Sequence, residues 1–236
     1  MKSQLRSRNP LSASIHLTLP LLISLVIVRS SPAADRPARV TDGLVVLYTF
    51  DRLENGVIPD RSGVGDPVPL RIDKPQGVRF RNGRMIVSSS VTIASDGPAR
   101  KVIQAAKRTN ELTVEAWLRP LESQQTGPAR IFSLSHDTGQ RNFTLGQDSG
   151  RYDVRLRTTS TSDNGTPSTA GPEDSISTSL THVVFTRAAD GATQLFADGK
   201  KIGANTIAGD FGKWNDEFRL SIANEVTGDR PWLGEL

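Results

Sequence analysis

Glu111-Leu112-Thr113-Val114-Glu115-Ala116-Trp117-Leu118-Arg119-Pro120 is the stretch that decides the fold class. Leu112, Val114, Ala116 and Leu118 alternate with Thr113, Glu115 and Trp117, the two-residue period of a strand with two distinct faces. Pro120 ends the run, because proline has no N–H to give to a sheet ladder. With aliphatic residues on one face and Trp117 on the other, both faces can be buried. The strand is therefore expected at the centre of a two-sheet sandwich, with the indole enclosed.

The flanking segments repeat the theme. Leu44 to Phe50 reads as a strongly apolar first strand, and Asp51 to Pro69 as a turn-rich loop. Leu70-Arg71-Ile72 and Val78-Arg79-Phe80 are short alternating strands. Asn82-Gly83 suits a tight hairpin, and Arg84 to Ile93 supplies its return strands. Ala99 to Arg108 is the one helix, with Val102, Ile103 and Ala106 sharing a face and Lys101, Lys107 and Arg108 outside it. Beyond the central strand, 129–134, 142–146 and 152–158 read as strands. The Ser-, Thr- and Gly-rich segment 159–178 reads as a mobile surface loop. Thr181 to Arg187 and Thr193 to Ala197 form a hairpin, and Asp198-Gly199 turns the chain into Lys200 to Gly203. Further strands follow at 218–223 and 232–236. About a dozen short strands with turns between them and no βαβ rhythm make an all-β, antiparallel two-sheet jelly-roll sandwich with one short connector helix.

The 236 residues hold 36% hydrophobic residues, 20 Gly and 14 Pro, enough for one loop-rich β domain. There are no cysteines, so packing must hold the fold without disulfides. Residues 1–34 have the order of a secretory signal peptide: basic Lys2, Arg6 and Arg8, an apolar stretch from Leu19 to Val28, and a small-residue site at Ser31 to Ala34. The apolar stretch falls short of the about 20 residues of a membrane span, so a membrane is a partner only if the leader stays uncleaved. Residues 35–41 are a linker and 42–236 the domain. The leader carries Lys2, Arg6, Arg8 and Arg29 and no acid, so its removal takes the net charge from +4 to near zero. Nucleic acid is thereby excluded as a partner.

Four features in order resemble the laminin-G-like, concanavalin A-like jelly-roll superfamily. They are Leu47 to Asp51 with Asp60-Arg61-Ser62-Gly63; Leu112 to Leu118; His182-Val183-Val184 with Leu195 to Gly203; and Leu220 to Asn224 with Trp232 to Leu236. The resemblance implies a secreted, periplasmic or surface module that binds glycans or extracellular proteins, often with calcium at the sandwich edge. It also implies a strand continuing past Leu236 and pairing near the first strand. The chain is therefore expected to be C-terminally incomplete, with an open edge beside Leu44 to Phe50.

Glycosidases of this superfold present paired carboxylates on one strand, at about 5–5.5 Å for a retaining mechanism. Glu115 has no such partner at 113 or 117, and adjacent Asp216 and Glu217 point apart. No cysteine or Gly-x-Ser-x-Gly elbow offers a nucleophile. His182 reads as structural, and His136 beside Asp137 as a solvated loop pair. Catalysis is not expected. Calcium needs about six to eight oxygens. Two trios could contribute them: Asp51, Asp60 and Asp66, or Asn224, Glu225 and Asp229. The competing reading is turn capping by Asp60 and Asp66. For a sugar, Trp214 flanked by Asn215 and Asp216 has the required stacking and hydrogen-bonding composition, unless Trp214 closes the end of the sandwich. Asn142 and Asn164 match the glycosylation acceptor pattern. The leading expectation is a non-catalytic module binding a carbohydrate or protein. A structural or docking domain of a larger surface protein is the alternative, and a glycosidase the third reading.

Overall fold

The computed structural model describes residues 40–236. The proposed leader and nearly all of the linker lie outside the described residues.

Among the described residues fifteen strands, one α-helix and a 3-10 turn (Pro75–Gly77) follow one another. The first five strands are β1 (Val57–Ile58), β2 (Leu70–Ile72), β3 (Val78–Arg81), β4 (Arg84–Val87) and β5 (Ile93–Ser95). Helix α1 (Arg100–Thr109) leads to β6 (Leu112–Pro120), followed by β7 (Gln125–Ser135), β8 (Arg141–Ser149), β9 (Arg151–Leu156) and β10 (Thr169–Ala170). The last five are β11 (Thr181–Arg187), β12 (Ala192–Ala197), β13 (Lys200–Thr206), β14 (Arg219–Ile222) and β15 (Gly234–Glu235). They form an eight-stranded sheet in the order β1-β2-β5-β14-β7-β8-β9-β10 and a seven-stranded sheet in the order β13-β12-β11-β6-β15-β4-β3. Every strand pairing is antiparallel. This is the expected sandwich, with β6 in the middle of its sheet.

The core lies between the inward residues of both sheets. Leu118, Val183, Phe185 and Leu195 come from the seven-stranded sheet; Leu134, Phe143, Leu145, Val154, Leu156 and Ile222 come from the other. Phe143 and Phe185 meet across the interface with ring centroids 5.7 Å apart. Full burial of each such side chain contributes about 1.5–3 kcal/mol. Trp232 is fully buried and donates its indole N–H to Gln147 Oε1 at 3.1 Å. Turn chemistry holds as read: Asn82 and Gly83 (φ 54° and 71°) join β3 to β4, and Asp198 and Gly199 (φ 49° and 76°) join β12 to β13. Helix α1 buries Ile103 and Ala106 and ends at Asn110 in the left-handed conformation (φ 57°).

Three expectations are corrected. Residues 44–50 are not a strand. Leu47 gives its N–H to Asp60 Oδ1 and its carbonyl accepts from Arg61 N–H, while Phe50 takes a positive φ of 52°. Apolar composition does not supply a ladder partner, and the local acid took the donor first. Segment 159–178 is not a loose loop. Thr159 N donates to Asp210 O, Asn205 Nδ2 to Ser168 O and Ile176 N to Gly150 O, with Ile176 buried. Its hydroxyls and amides tie it down where apolar packing could not. Finally, Trp117 is not enclosed: it is 54% exposed on the outer face of β6.

Candidate functional site

The strand register builds one polar row across the outer face of the eight-stranded sheet. Arg71 pairs with Ala94, Ala94 with Ser221, Ser221 with Ser133, Ser133 with Thr144, and Thr144 with Arg155. Their sequence neighbours Leu70, Ile93, Ile222, Leu134, Phe143 and Val154 point into the core. Alternation alone therefore sends the row outward. Small Ala94, Ser221, Ser133 and Thr144 make a low floor between two arginines.

All of that floor except its Ala94 end is roofed. Glu225 and Arg130 form an ion pair at 3.1 Å, their side chains 0% and 1% exposed. Ser135 also donates to Glu225, and Ser133 bonds to both Ser135 (2.7 Å) and Thr144 (3.1 Å). Arg141, fully buried, donates to Thr138 O and Thr144 Oγ1. Burial pushes the Arg141 guanidinium down to about 10 and lowers Arg130, which neighbouring Glu225 partly offsets.

The Ala94 end of the row is open, with a groove of about 460 Å³ above it. Arg71 clamps Asp96 with two bonds of 3.0 Å on one wall. That paired guanidinium holds the Asp96 carboxyl below its usual range. Asp73 accepts the Thr92 N–H at 2.8 Å and returns its own N–H to Thr92 O. Arg219 donates to Ser95 O at 2.6 Å and also lines the groove, as do Lys74, Ser90 and Thr227. The far wall is the turn after β14. Ser221 Oγ donates to Asn224 O, and Asn224 Oδ1 accepts from the N–H groups of Glu225 and Arg230 at 2.9 Å each. Three cations, two carboxylates, an amide and several hydroxyls thus face one cleft.

The residues singled out from sequence fare unevenly. Trp214 is 2% exposed. It packs on Phe211 (4.4 Å between centroids) and donates its indole N–H to Arg157 O at 2.7 Å. It closes the sandwich end, so no sugar can stack on it. Asn215 bonds to Asn142, and Asp216 pairs with Lys107 at 2.9 Å. Asn142 is itself fully buried, which removes it as a glycosylation acceptor.

Neither calcium trio forms an oxygen shell. Asp60 is surrounded by donors: Lys101 Nζ at 2.6 Å and the N–H groups of Leu47, Ser62 and Val68. Burial alone would raise its pKa, but the Lys101 ammonium and these N–H groups outweigh it and the net shift is downward. A metal there would have to displace an ammonium. Lys101, expected in solvent, is instead the internal counter-ion of that turn. Asp51 pairs with Arg52, and no group of three or more His, Cys, Asp or Glu gathers among the described residues. In the second trio Glu225 is committed to Arg130 and Asp229 to Thr227 (2.6 Å). Only Asn224 joins the groove, as a wall.

Sequence reasoning missed Arg71, Lys74, Thr92, Asp96 and Arg219. The Leu70-Arg71-Ile72 alternation did mark Arg71 as outward, but its neighbours sit on strands about 20 and 150 residues away. His182, read as structural, stacks on Trp117 with centroids 4.6 Å apart and bonds to Glu115 at 3.0 Å. His136 lies near Phe218, and Asp137 caps the turn to Gly139 and Gln140.

The laminin G family model described as the concanavalin A-like lectin/glucanases superfamily matches residues 88–236. No curated protein matches the sequence. Among solved structures, the binding domain of botulinum neurotoxin DC, in complex with rat synaptotagmin II, superposes with a TM-score of 0.58 at 13% identity, covering 84% of this chain and 49% of that one. The botulinum serotype C1 binding domain gives 0.55 at 13%, covering 83% and 47%. Domain 4 of AbnA, a GH43 extracellular arabinanase from Geobacillus stearothermophilus, in complex with arabinotriose, gives 0.54 at 15%. There the alignment covers 81% of this chain and 87% of that one. The chain spans about half the length of the toxin domains, and at these identities the likeness is one of fold.

Proposed function

The chain belongs to the concanavalin A-like lectin/glucanases superfamily, and on that premise we propose that it is an exported, non-catalytic module that binds a carbohydrate in the groove over Ala94. The observation that carries this reading is the groove's lining, where donors and acceptors converge over a small-residue floor with no bulky apolar wall. Sugar hydroxyls both donate and accept, and paired arginine and aspartate present planar groups that bond two of them at once. The turn and strand walls are pre-formed, so little side-chain freedom is lost on binding.

Two further observations support this reading. The match to the arabinanase domain solved with arabinotriose spans nearly all of that domain, which favours a saccharide over a protein ligand. The basic, apolar and small-residue order of residues 1–34 supports export.

Calorimetric titration of the full chain with a panel of neutral and acidic oligosaccharides, arabinotriose included, tests the proposal. Binding to at least one is expected. Arg71→Ala should weaken it about tenfold or more, the effect of losing a charged hydrogen bond. Its melting temperature should stay nearly unchanged, because the exposed Arg71–Asp96 pair contributes little to stability. No binding across the panel, or binding indifferent to both Arg71→Ala and Asp96→Ala, would refute it.

A further inference from the structure

The outer face of the seven-stranded sheet carries a different pattern, unrelated to the groove. Alternation places Glu115, Trp117 and Arg119 in a line along β6, about 6.7 Å apart at two residues per step. The middle residue is the most exposed aromatic of the domain, at 54%. The acidic end has an imidazole for a partner, His182 at 3.0 Å, and no fixed cation. At the other end Arg119 and Arg84 share one carboxylate, Glu235, at 3.0 and 2.9 Å, which leaves that end positive. Two further exposed apolar side chains, Leu121 (57%) and Leu180 (46%), lie immediately after β6 and immediately before β11. Trp and Arg amid exposed apolar surface are the composition of an interface centre.

A line that runs acid, aromatic, base is complementary to itself when reversed. We propose that this face docks a second copy of the chain, related by a two-fold axis that lies in the contact plane and crosses β6 at Trp117. The two β6 strands then run in opposite directions, face to face. Glu115 meets Arg119 of the second copy, Arg119 meets its Glu115, and the two indoles meet on the axis. This is the isologous contact that closed dimers use. Two sheet faces packed about 10 Å apart leave room for interleaved side chains of this size. The charges fix the direction, since the parallel alternative would set Glu115 on Glu115 and Arg119 on Arg119.

Sedimentation velocity on the full chain over a wide concentration range tests this, with circular dichroism confirming that each variant is folded. A reversible dimer is expected. Trp117→Ala, Glu115→Arg and Arg119→Glu should each weaken it at least about tenfold. The double variant E115R/R119E, which reverses the line without destroying its complementarity, should recover it. Mixing the two single charge variants should give a heterodimer that neither forms alone. A chain monomeric at every concentration would overturn the proposal. So would a dimer indifferent to Trp117→Ala, or a mixture no more associated than its parts. If oligosaccharide shifts the fluorescence of Trp117 while the chain stays monomeric, the face is a ligand site and the dimer is rejected. Trp214 and Trp232 are buried, so that signal reports on Trp117.

Discussion

The two outer faces of this sandwich come from the same alternation and end up with opposite characters. Across the eight-stranded sheet the outward row is small and polar, and a turn and buried ions fold over most of it, leaving a cleft at the Ala94 end. Across the seven-stranded sheet the outward residues include an indole that nothing covers. A strand's outward face becomes a pocket when its residues are small and neighbouring loops rise around them. It becomes a flat contact surface when they are large. Charge follows the same division. On the first face Glu225 and Arg130 lie inside the protein, whereas on the second Glu115 and Arg119 remain in water.

The strongest way to break this contrast is to remove a tryptophan from each environment. Trp232→Ala should cost about 3–5 kcal/mol in denaturant unfolding, the range for a large aromatic lost from a core. Trp117→Ala, measured at concentrations where the chain is monomeric, should cost less than about 1 kcal/mol, since only a cross-strand stack on His182 is lost. Equal losses would mean that the Trp117 face is covered within the monomer. Next come the acids. Glu225→Ala leaves Arg130 buried and unpaired and should lower stability by about 3–5 kcal/mol. Glu115→Ala should stay within about 0.5 kcal/mol.

The smallest effect sharpens the buried side of the comparison. The Asp60 carboxyl is held below its ordinary range, so its contribution is complete above the unfolded value of about 3.9. It fades as the pH falls through the lower folded value. An acid titration of stability should therefore show a component below about pH 4 that Asp60→Asn abolishes.

Much of the architecture could be read from local pattern. The aliphatic parity of Leu112 to Leu118, the Asn82-Gly83 and Asp198-Gly199 turns and the α1 face each depend on a few adjacent residues, and each appears as expected. What alternation cannot say is whether the opposite face is covered. That depends on distant segments, so Trp117 reads as enclosed although it is exposed, and pattern alone leaves Trp214 open between stacking on a sugar and closing the sandwich end, which is what it does. The groove was illegible for a related reason. Arg71, Ala94 and Ser221 sit on strands of three or four residues and become neighbours only through register. Asp60 looked like a metal ligand because nothing near it in sequence announces Lys101, 41 residues on. Leu44 to Phe50 had the composition of a strand and lacked a ladder to join.

The two-residue strand β15 fills the gap between β4 and β6, pairing Gly234 with both Val87 and Pro120, and Leu236 exchanges both backbone bonds with Met85. A ribosome delivers those residues more than a hundred positions after β6. Until they emerge, the hairpin of β3 and β4 has no route into its sheet, and two raw strand edges stand open on the nascent chain. Closure of this layer thus waits on a contact distant in sequence, and until it forms the open edges are where strand mispairing can begin.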